Sequence, residues 1–279
     1  MRYLTVEPDP ALAPFVSSIY WFAADLVPQR ELSLPNGRMQ LTVNLAEDEQ
    51  RYYDGDGYRT THRLPAATLA GPGSRPTCID TDEQRAVIGV CFRPGGGYPF
   101  FTPPATATLD EHVPLDALWG RDGATLRERL LHCPTPEEQL RAVQSVLLAR
   151  AVRTLDADPM VRYATRALDR GIRVAALADR LGVTSKRLTR RFAAQVGYRP
   201  KQYARVRRFQ RVLVAACGSG MPAGGPGTDW ADLAARFGYV DQSHLIHDFR
   251  EFSGVTPRAY RPRSPTERNH LPLSLFSNT

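Results

Sequence analysis

Lys186, Arg187, Thr189, Arg190 and Arg191 crowd into one short run, V-T-S-K-R-L-T-R-R-F, ending at Phe192. Such a density of donors suits recognition by hydrogen bonding more than bond making. On a helix, Lys186, Thr189, Arg190 and Ala193 fall at i, i+3, i+4 and i+7 and share one face. Lys186 and Arg190 there can donate to guanine O6 and N7 in a major groove. Arg187 and Arg191 are read as phosphate contacts, which position a protein without reading sequence. A second set at the same offsets comprises Ser243, Ile246, His247 and Arg250, preceded by Gln242, which can reach an adenine edge or a phosphate from the helix start. Arg250 is read as a phosphate contact.

The two sets belong to one repeated unit. L-A-D-R-L-G-V-T-S-K-R-L-T-R-R-F, from Leu177 to Phe192, recurs with one extra turn residue as L-A-A-R-F-G-Y-V-D-Q-S-H-L-I-H-D-F, from Leu233 to Phe249. Gly197, Pro200 and Tyr203 are matched in step by Gly254, Pro257 and Tyr260. A repeat that keeps apolar, glycine, proline and aromatic positions in phase is one supersecondary unit used twice.

Each unit reads as helix, tight turn, helix. Leu177, Ala178 and Leu181 supply a buried stripe, and Gly182 can take the positive φ that ends a helix. Thr184 is placed to cap the next helix, with Val183 and Leu188 spaced as a hydrophobic staple; Asp241, Val240 and Leu245 repeat the pattern. Leu188 with Phe192, and Leu245 with Phe249, face the core. Between the copies, the run beginning K-Q-Y-A-R-V-R-R-F after Pro200 predicts one long helix of roughly 25 Å, which suits recognition helices in successive grooves about 34 Å apart.

Charge follows the repeat. Residues 160–263 hold 20 Lys and Arg against 7 Asp and Glu, whereas the remainder holds 16 against 22. A segment this basic favours a polyanion, because neutralised phosphates release condensed counterions. The chain contains no apolar run of membrane-spanning length, and MRYLTVEPDP lacks the signature of a secretory leader. Cys78, Cys91, Cys133 and Cys217 are widely spaced, with no CxxC, and are expected to be thiols in a reducing compartment. The expectation is a cytoplasmic protein with no membrane association.

The motifs L-A-x-R-x-G with L-T-R-R-F, then G-Y-V-D-Q-S-H-L-I-H-D-F, then G-V-T-P-R-A-Y-R from Gly254 to Arg261 resemble the AraC/XylS family of bacterial transcription regulators. The resemblance covers roughly residues 158 to 263. It implies an all-α, seven-helix domain with two helix-turn-helix motifs, whose recognition helices enter adjacent major grooves of double-stranded promoter DNA. It makes RNA polymerase a candidate partner and gives His244 a structural role. His247 departs from the arginine common in the family, and an imidazole there makes a weaker or pH-sensitive contact. The Gly- and Pro-rich stretch from Gly218 to Asp229 is longer than usual and is expected to be flexible.

The amino-terminal half reads as mainly β up to about residue 110. M-Q-L-T-V-N-L (Met39 to Leu45) and A-V-I-G-V-C-F (Ala86 to Phe92) are strand-like and flanked by P-N-G and P-G-G-G turns. The order of these segments, with L-A-G-P between them, looks like the cupin-like regulatory barrel found on one branch of the same family. Helices follow: G-A-T-L-R-E-R-L-L, then a segment with Thr135 as cap, Pro136 first and Glu138 closing a capping box. Its stripe Leu140, Val143, Leu147 and Ala151 serves either a homodimer or packing on its own barrel.

Catalysis and metal binding find no support. His62, His112 and His132 form no ligand pattern, G-P-G-S-R from Gly71 lacks the lysine of a phosphate loop, and P-G-G-G-Y lacks a hydrolase nucleophile. No catalytic residue, cofactor or metal is therefore assigned. Arg75 and Arg93, near glycine turns, are candidates for receiving a small anionic effector. The reading is an α+β chain: residues 1–155 a regulatory, effector-binding or dimerisation domain, 156–263 a double helix-turn-helix domain, and 264–279 a disordered tail. The alternative is a small-molecule-binding or metal-dependent cupin-like enzyme domain with a DNA-binding appendage.

Overall fold

The structure, a computed structural model, describes residues 2–218 and 228–273. Ten strands form the amino-terminal region: β1 (Arg2–Val6), β2 (Val16–Ala23), β3 (Arg30–Ser33), β4 (Gln40–Asn44), β5 (Glu49–Asp54), β6 (Thr60–Pro65), β7 (Ala67–Ala70), β8 (Thr77–Asp80), β9 (Ala86–Phe92) and β10 (His112–Pro114). A further strand, β11 (His270–Pro272), comes from the far end of the chain. They make two sheets, ordered β1-β2-β9-β4-β7-β10 and β11-β3-β8-β5-β6. Each pairing described within them is antiparallel.

Period-two alternation gives each sheet two unlike faces. In the first sheet Ile19, Trp21, Leu41, Val43, Leu69, Ile88 and Val90 share an apolar cluster with Leu115, Trp119, Leu126, Leu130, Leu140, Val143 and Leu147. Those partners come from α1 (Leu115–Trp119), α3 (Leu126–Leu131) and α4 (Pro136–Ala149), with α2 (Arg121–Ala124) between the first two. The apolar face is thus covered by helices. Tyr20, Gln40, Thr42 and Thr68, on the opposite face, line a cavity between the sheets instead. Gly89 lies opposite Tyr20 in the β2–β9 register, and a Cβ there would fall 2.1 Å from the ring, so only glycine leaves Tyr20 its place.

The α4 stripe settles on its own barrel. Thr135 and Glu138 form the reciprocal capping box, and Leu140, Val143 and Leu147 are fully buried against the first sheet's cluster. Those three side chains are spent within the chain, and Ala151, the fourth of the stripe, lies just beyond α4 and is half-buried.

The carboxy-terminal part is helical: α5 (Pro159–Asp169), α6 (Val174–Arg180), α7 (Ser185–Val196), α8 (Pro200–Cys217), α9 (Trp230–Arg236) and α10 (Gln242–Ser253). Its core is continuous with the second sheet. Leu32, Leu34, Tyr53, Cys78 and Leu271 join Phe192, Tyr203, Phe209, Leu213, Phe249 and Tyr260 in one cluster. The helices therefore serve as the hydrophobic cover that the second sheet otherwise lacks. Most of the Gly218–Asp229 segment expected to be flexible, residues 219–227, lies outside the described residues.

The tail corrects the expectation of disorder after residue 263. Residues 264–269 turn back, and β11 pairs with β3 through His270↔Ser33, Leu271↔Leu32 and Pro272↔Glu31. Residues 264–270 are polar apart from Pro265, and Leu271, the first large apolar side chain after them, is 0% exposed. Residues 274–279 lie outside the described residues. Among the described residues no helix is long and apolar enough to cross a membrane.

Candidate nucleic-acid interface

The first motif is built by short-range signals. Leu177 and Ala178 bury one side of α6, Gly182 adopts φ +61°, and the Thr184 hydroxyl accepts from the Arg187 amide at 3.2 Å to start α7. Leu188, Phe192 and Val196 face the core, and Gly197 ends the helix at φ +88°. The outer face carries Lys186, Arg187 and Arg190, all exposed, with Thr189 and Ala193 half-buried beside them. No acidic residue occurs in α7, so this face is uniformly cationic.

Arg191 belongs elsewhere. Its Nε donates to Asp158 at 2.5 Å, and Asp158 also receives Gln195 at 2.7 Å while capping α5 through the Met160 and Val161 amides. Burial works to raise this carboxyl, but the hydrogen bonds from Arg191, Gln195 and the Val161 amide hold it below its ordinary range. A residue read as a phosphate contact is thereby engaged in tying α7 to the start of α5.

The second motif repeats the scheme with different chemistry. Asp241 caps α10 by accepting from the His244 amide at 2.7 Å, and Gly254 ends it at φ +74°. Gln242, Ser243, His247 and Arg250 are exposed, and Ile246 is half-buried. Ser243, Ile246, His247, Arg250 and Glu251 form one shallow concavity. The staple expected at Val240 does not form: Val240 is 86% exposed. Tyr239 is buried in its stead, edge-on to His244 at 5.1 Å and under the Arg208 guanidinium at 4.0 Å. His244 Nδ1 lies 3.4 Å from the Val240 amide, so this histidine braces the turn.

Behind the α10 face sits a buried charge network. Asp248, 1% exposed, accepts from Arg205 at 2.6 Å and from Arg208 at 2.9 Å, and Glu251 accepts from Arg205 at 2.5 Å. His247, Asp248 and Glu251 bring ligand atoms within 4.8 Å of one another, a spacing a metal ion would accept. Both carboxylates are already met by guanidinium groups, so the donor set fits an ion-pair network joining α10 to α8.

The candidate effector residues are not brought together. Arg75 lines the inter-sheet cavity, about 150 Å³, with Tyr20, Gln40, Gln50, Tyr52 and His112. Arg93 lies in a separate cleft facing α5, and its Nε donates to the Ala13 carbonyl at 2.9 Å. Sequence reasoning missed the polar wall of the cavity. Gln40 Nε2 donates to the Tyr20 hydroxyl at 2.8 Å, and Tyr52 is sandwiched between His62 and His112, each ring centroid 4.5 Å away. Burial, aided by the neighbouring His62, pushes His112 down to about 4. The only available signal was the polar alternation of Gln40, Thr42 and Asn44 within β4, which reads equally well as a solvent-facing side.

Comparison with known proteins agrees with this geometry. Residues 177–263 match a helix-turn-helix domain family, and residues 4–114 match a family described as a domain of unknown function (DUF6597). The carboxy-terminal segment is an AraC-type helix-turn-helix DNA-binding domain, set behind a β-domain of that second family. Among curated protein sequences nothing matches the chain. Solved structures of ToxT from Vibrio cholerae resemble it over most of their length. One shows 10% identity, 93% of this chain and 98% of that chain covered, TM-score 0.43. Another, bound to (E)-4-(8-methylnaphthalen-1-yl)but-3-enoic acid, shows 9% identity, coverages of 93% and 98%, and TM-score 0.44.

Proposed function

We propose that the chain is a sequence-specific transcription regulator in which α7 and α10 read two half-sites in adjacent major grooves of promoter DNA. One observation carries this reading: both recognition helices are capped, buried on one side and exposed on the other, while the rest of the domain is seated on the barrel. In the seated arrangement Lys186, Arg187 and Arg190 on α7, and Gln242, Ser243, His247 and Arg250 on α10, all remain exposed. Lys186 and Arg190 read bases, Thr189 and Ile246 contribute apolar or hydroxyl contacts, and Arg187 and Arg250 hold phosphates.

The inter-sheet cavity is the sensing element, and its wall of hydroxyl, amide and imidazole groups suits a small polar ligand. Loops that line it contact the helical domain directly, at α8 and at the α7–α8 turn. Arg207 of α8 donates to the Asn36 carbonyl at 2.8 Å, and the Tyr198 hydroxyl donates to the Gly73 carbonyl at 2.6 Å. Asn36 and Gly73 both line the cavity. An effector there, or RNA polymerase at a promoter, acts on a domain whose position these loops already set.

Selection of bound sequences from random duplexes by the full chain tests the proposal. The expected result is two half-sites about one helical turn apart, with affinity falling steeply between about 50 and 200 mM salt. Absence of binding at low salt would remove the proposal.

A further inference from the structure

The segment after the second motif does more than end the domain. Tyr260, fully buried, donates its hydroxyl to the Arg268 carbonyl at 2.6 Å, and the Arg263 amide donates to the His270 carbonyl at 2.8 Å, closing a turn. From that turn Asn269 touches both halves of the molecule. Its carbonyl accepts from the Leu34 amide at 2.9 Å, and its side-chain oxygen accepts from Gln210 of α8 at 2.8 Å. Gln210 also donates to the Pro35 carbonyl at 2.7 Å. The chain then adds β11 to the edge of the second sheet, burying Leu271.

The attachment has a specific latch. Glu31, on β3, is 1% exposed, and its carboxylate is met by Arg263 and, at 2.7 Å, by His270 Nδ1. Both side-chain partners come from the returning segment. A carboxylate buried this deeply is costly unless it is paired, so the sheet edge is matched to this segment in particular and not to any apolar strand. Close by, Gly254 at the end of α10 packs against Leu32, Tyr58 and Pro76: a Cβ there would lie 3.4 to 3.8 Å from each, at ordinary contact distance. The first motif is seated separately on the same platform, where a Cβ at Gly197 would lie 2.5 Å from Pro72.

We propose that residues 261–273 are a strap which, latched by Glu31, seats the second helix-turn-helix motif on the barrel and so fixes the spacing between the two recognition helices. α8 links the two motifs along the chain and is tied to α10 by Arg205 and Arg208. The platform adds a further hold on each, on the first at Gly197 and Tyr198 through the 71–76 loop, and on the second at Gly254 and the strap, chiefly through β3. This rests on the DNA-binding reading above and adds to it that the barrel acts as a ruler for the half-sites.

The test uses the full chain, a chain ending at Pro262, and the variants Glu31→Gln and Arg263→Ala. Hydrogen exchange without DNA is expected to rise in β3, α9 and α10 of each variant and to stay unchanged in α7. On duplexes carrying both half-sites, the variants lose about tenfold in affinity, because a loosened second motif has a lower effective concentration at its half-site. They also tolerate one inserted base pair that the full chain rejects, while binding to a lone first half-site is unchanged. If the truncated chain does not fold, the two substitutions carry the same comparison. Unchanged exchange in α10 together with an unchanged spacing preference overturns the strap. Failure of the full chain to bind any duplex counts against the DNA-binding reading, whereas the exchange measurement still decides whether the strap seats the motif.

Discussion

Arg208 of the linker helix donates to the buried carboxylate of Asp248 at 2.9 Å, and this contact joins the helix that spaces the motifs to the helix that reads the second half-site. Arg205 meets the same carboxylate, so two guanidinium groups converge on one acid with 1% exposure. Asp248→Ala would leave Arg208 half-buried without a carboxylate and Arg205 with Glu251 alone. The expected cost is about 3 kcal/mol, read from denaturant midpoints, with Asp248→Asn intermediate. A loss of a few tenths would mean that solvent replaces the network.

Arg190 and Arg191 are neighbours with opposite assignments. Arg190 is exposed on the cationic face of α7, whereas Arg191 is bound to Asp158. Arg190→Ala should weaken the preferred site by about 1 to 3 kcal/mol and relax preference at one base pair. Arg191→Ala should instead lower thermal stability and leave the slope of affinity against salt unchanged. A salt slope reduced by about one in Arg191→Ala would return that residue to the phosphates.

Much of the helical domain was legible because its signals are local. Gly182, Thr184, Asp241, Gly197 and Gly254 each act within one turn of chain, and each takes the role its type and position imply. The same locality explains the shortfalls. Val240 occupies a staple position by spacing, yet Tyr239 fills the space through contacts with Arg208 and His244 that the repeat does not encode. Arg191 meets Asp158 from 33 residues away. The returning strand depends on Glu31, 239 residues from His270, and the tail by itself shows nothing of such a partner. The cavity wall was hidden for a related reason: alternation shows that a strand has two faces but not which one meets solvent.

His112 gives the fold an acid-side weakness. Burial and the nearby His62 hold it down to about 4, so it is neutral in the folded chain, while an unfolded imidazole takes a proton near pH 6.5. The folded state binds fewer protons in this window, so the contribution is fully present above about pH 6.5 and is lost as pH falls toward about 4. Urea unfolding at about pH 7.5 and about pH 4.5 should show a loss from this group of roughly 2 to 3 kcal/mol. His112→Phe keeps a ring against Tyr52 and removes the titration. Its stability should therefore fall less than that of the natural chain over the same range. Parallel curves for the two would place the acid sensitivity elsewhere.

The two recognition faces are unequal, and the inequality should appear in the DNA. The first presents Lys186, Arg187 and Arg190 on a helix without acids, whereas the second presents Ser243 and His247 beside Glu251. His247 Nδ1 lies 3.9 Å from the Glu251 carboxylate and 4.0 Å from that of Asp248, so negative charge stands directly behind the α10 surface. Base substitutions in the half-site facing α7 should each cost about 1 to 3 kcal/mol, and those facing α10 distinctly less. His247→Arg places a permanent charge and a planar fork of donors at the centre of the weaker face. It should tighten binding by about 1 kcal/mol, and the gain should be confined to the second half-site. His247→Gln keeps a donor and an acceptor at that position and should change affinity little. The measurement is a set of binding curves for the three proteins on duplexes altered in one half-site at a time. Equal substitution costs in both half-sites would refute the dominance of α7, and a gain from His247→Arg spread evenly over all duplexes would make residue 247 a phosphate contact and not a reader of bases.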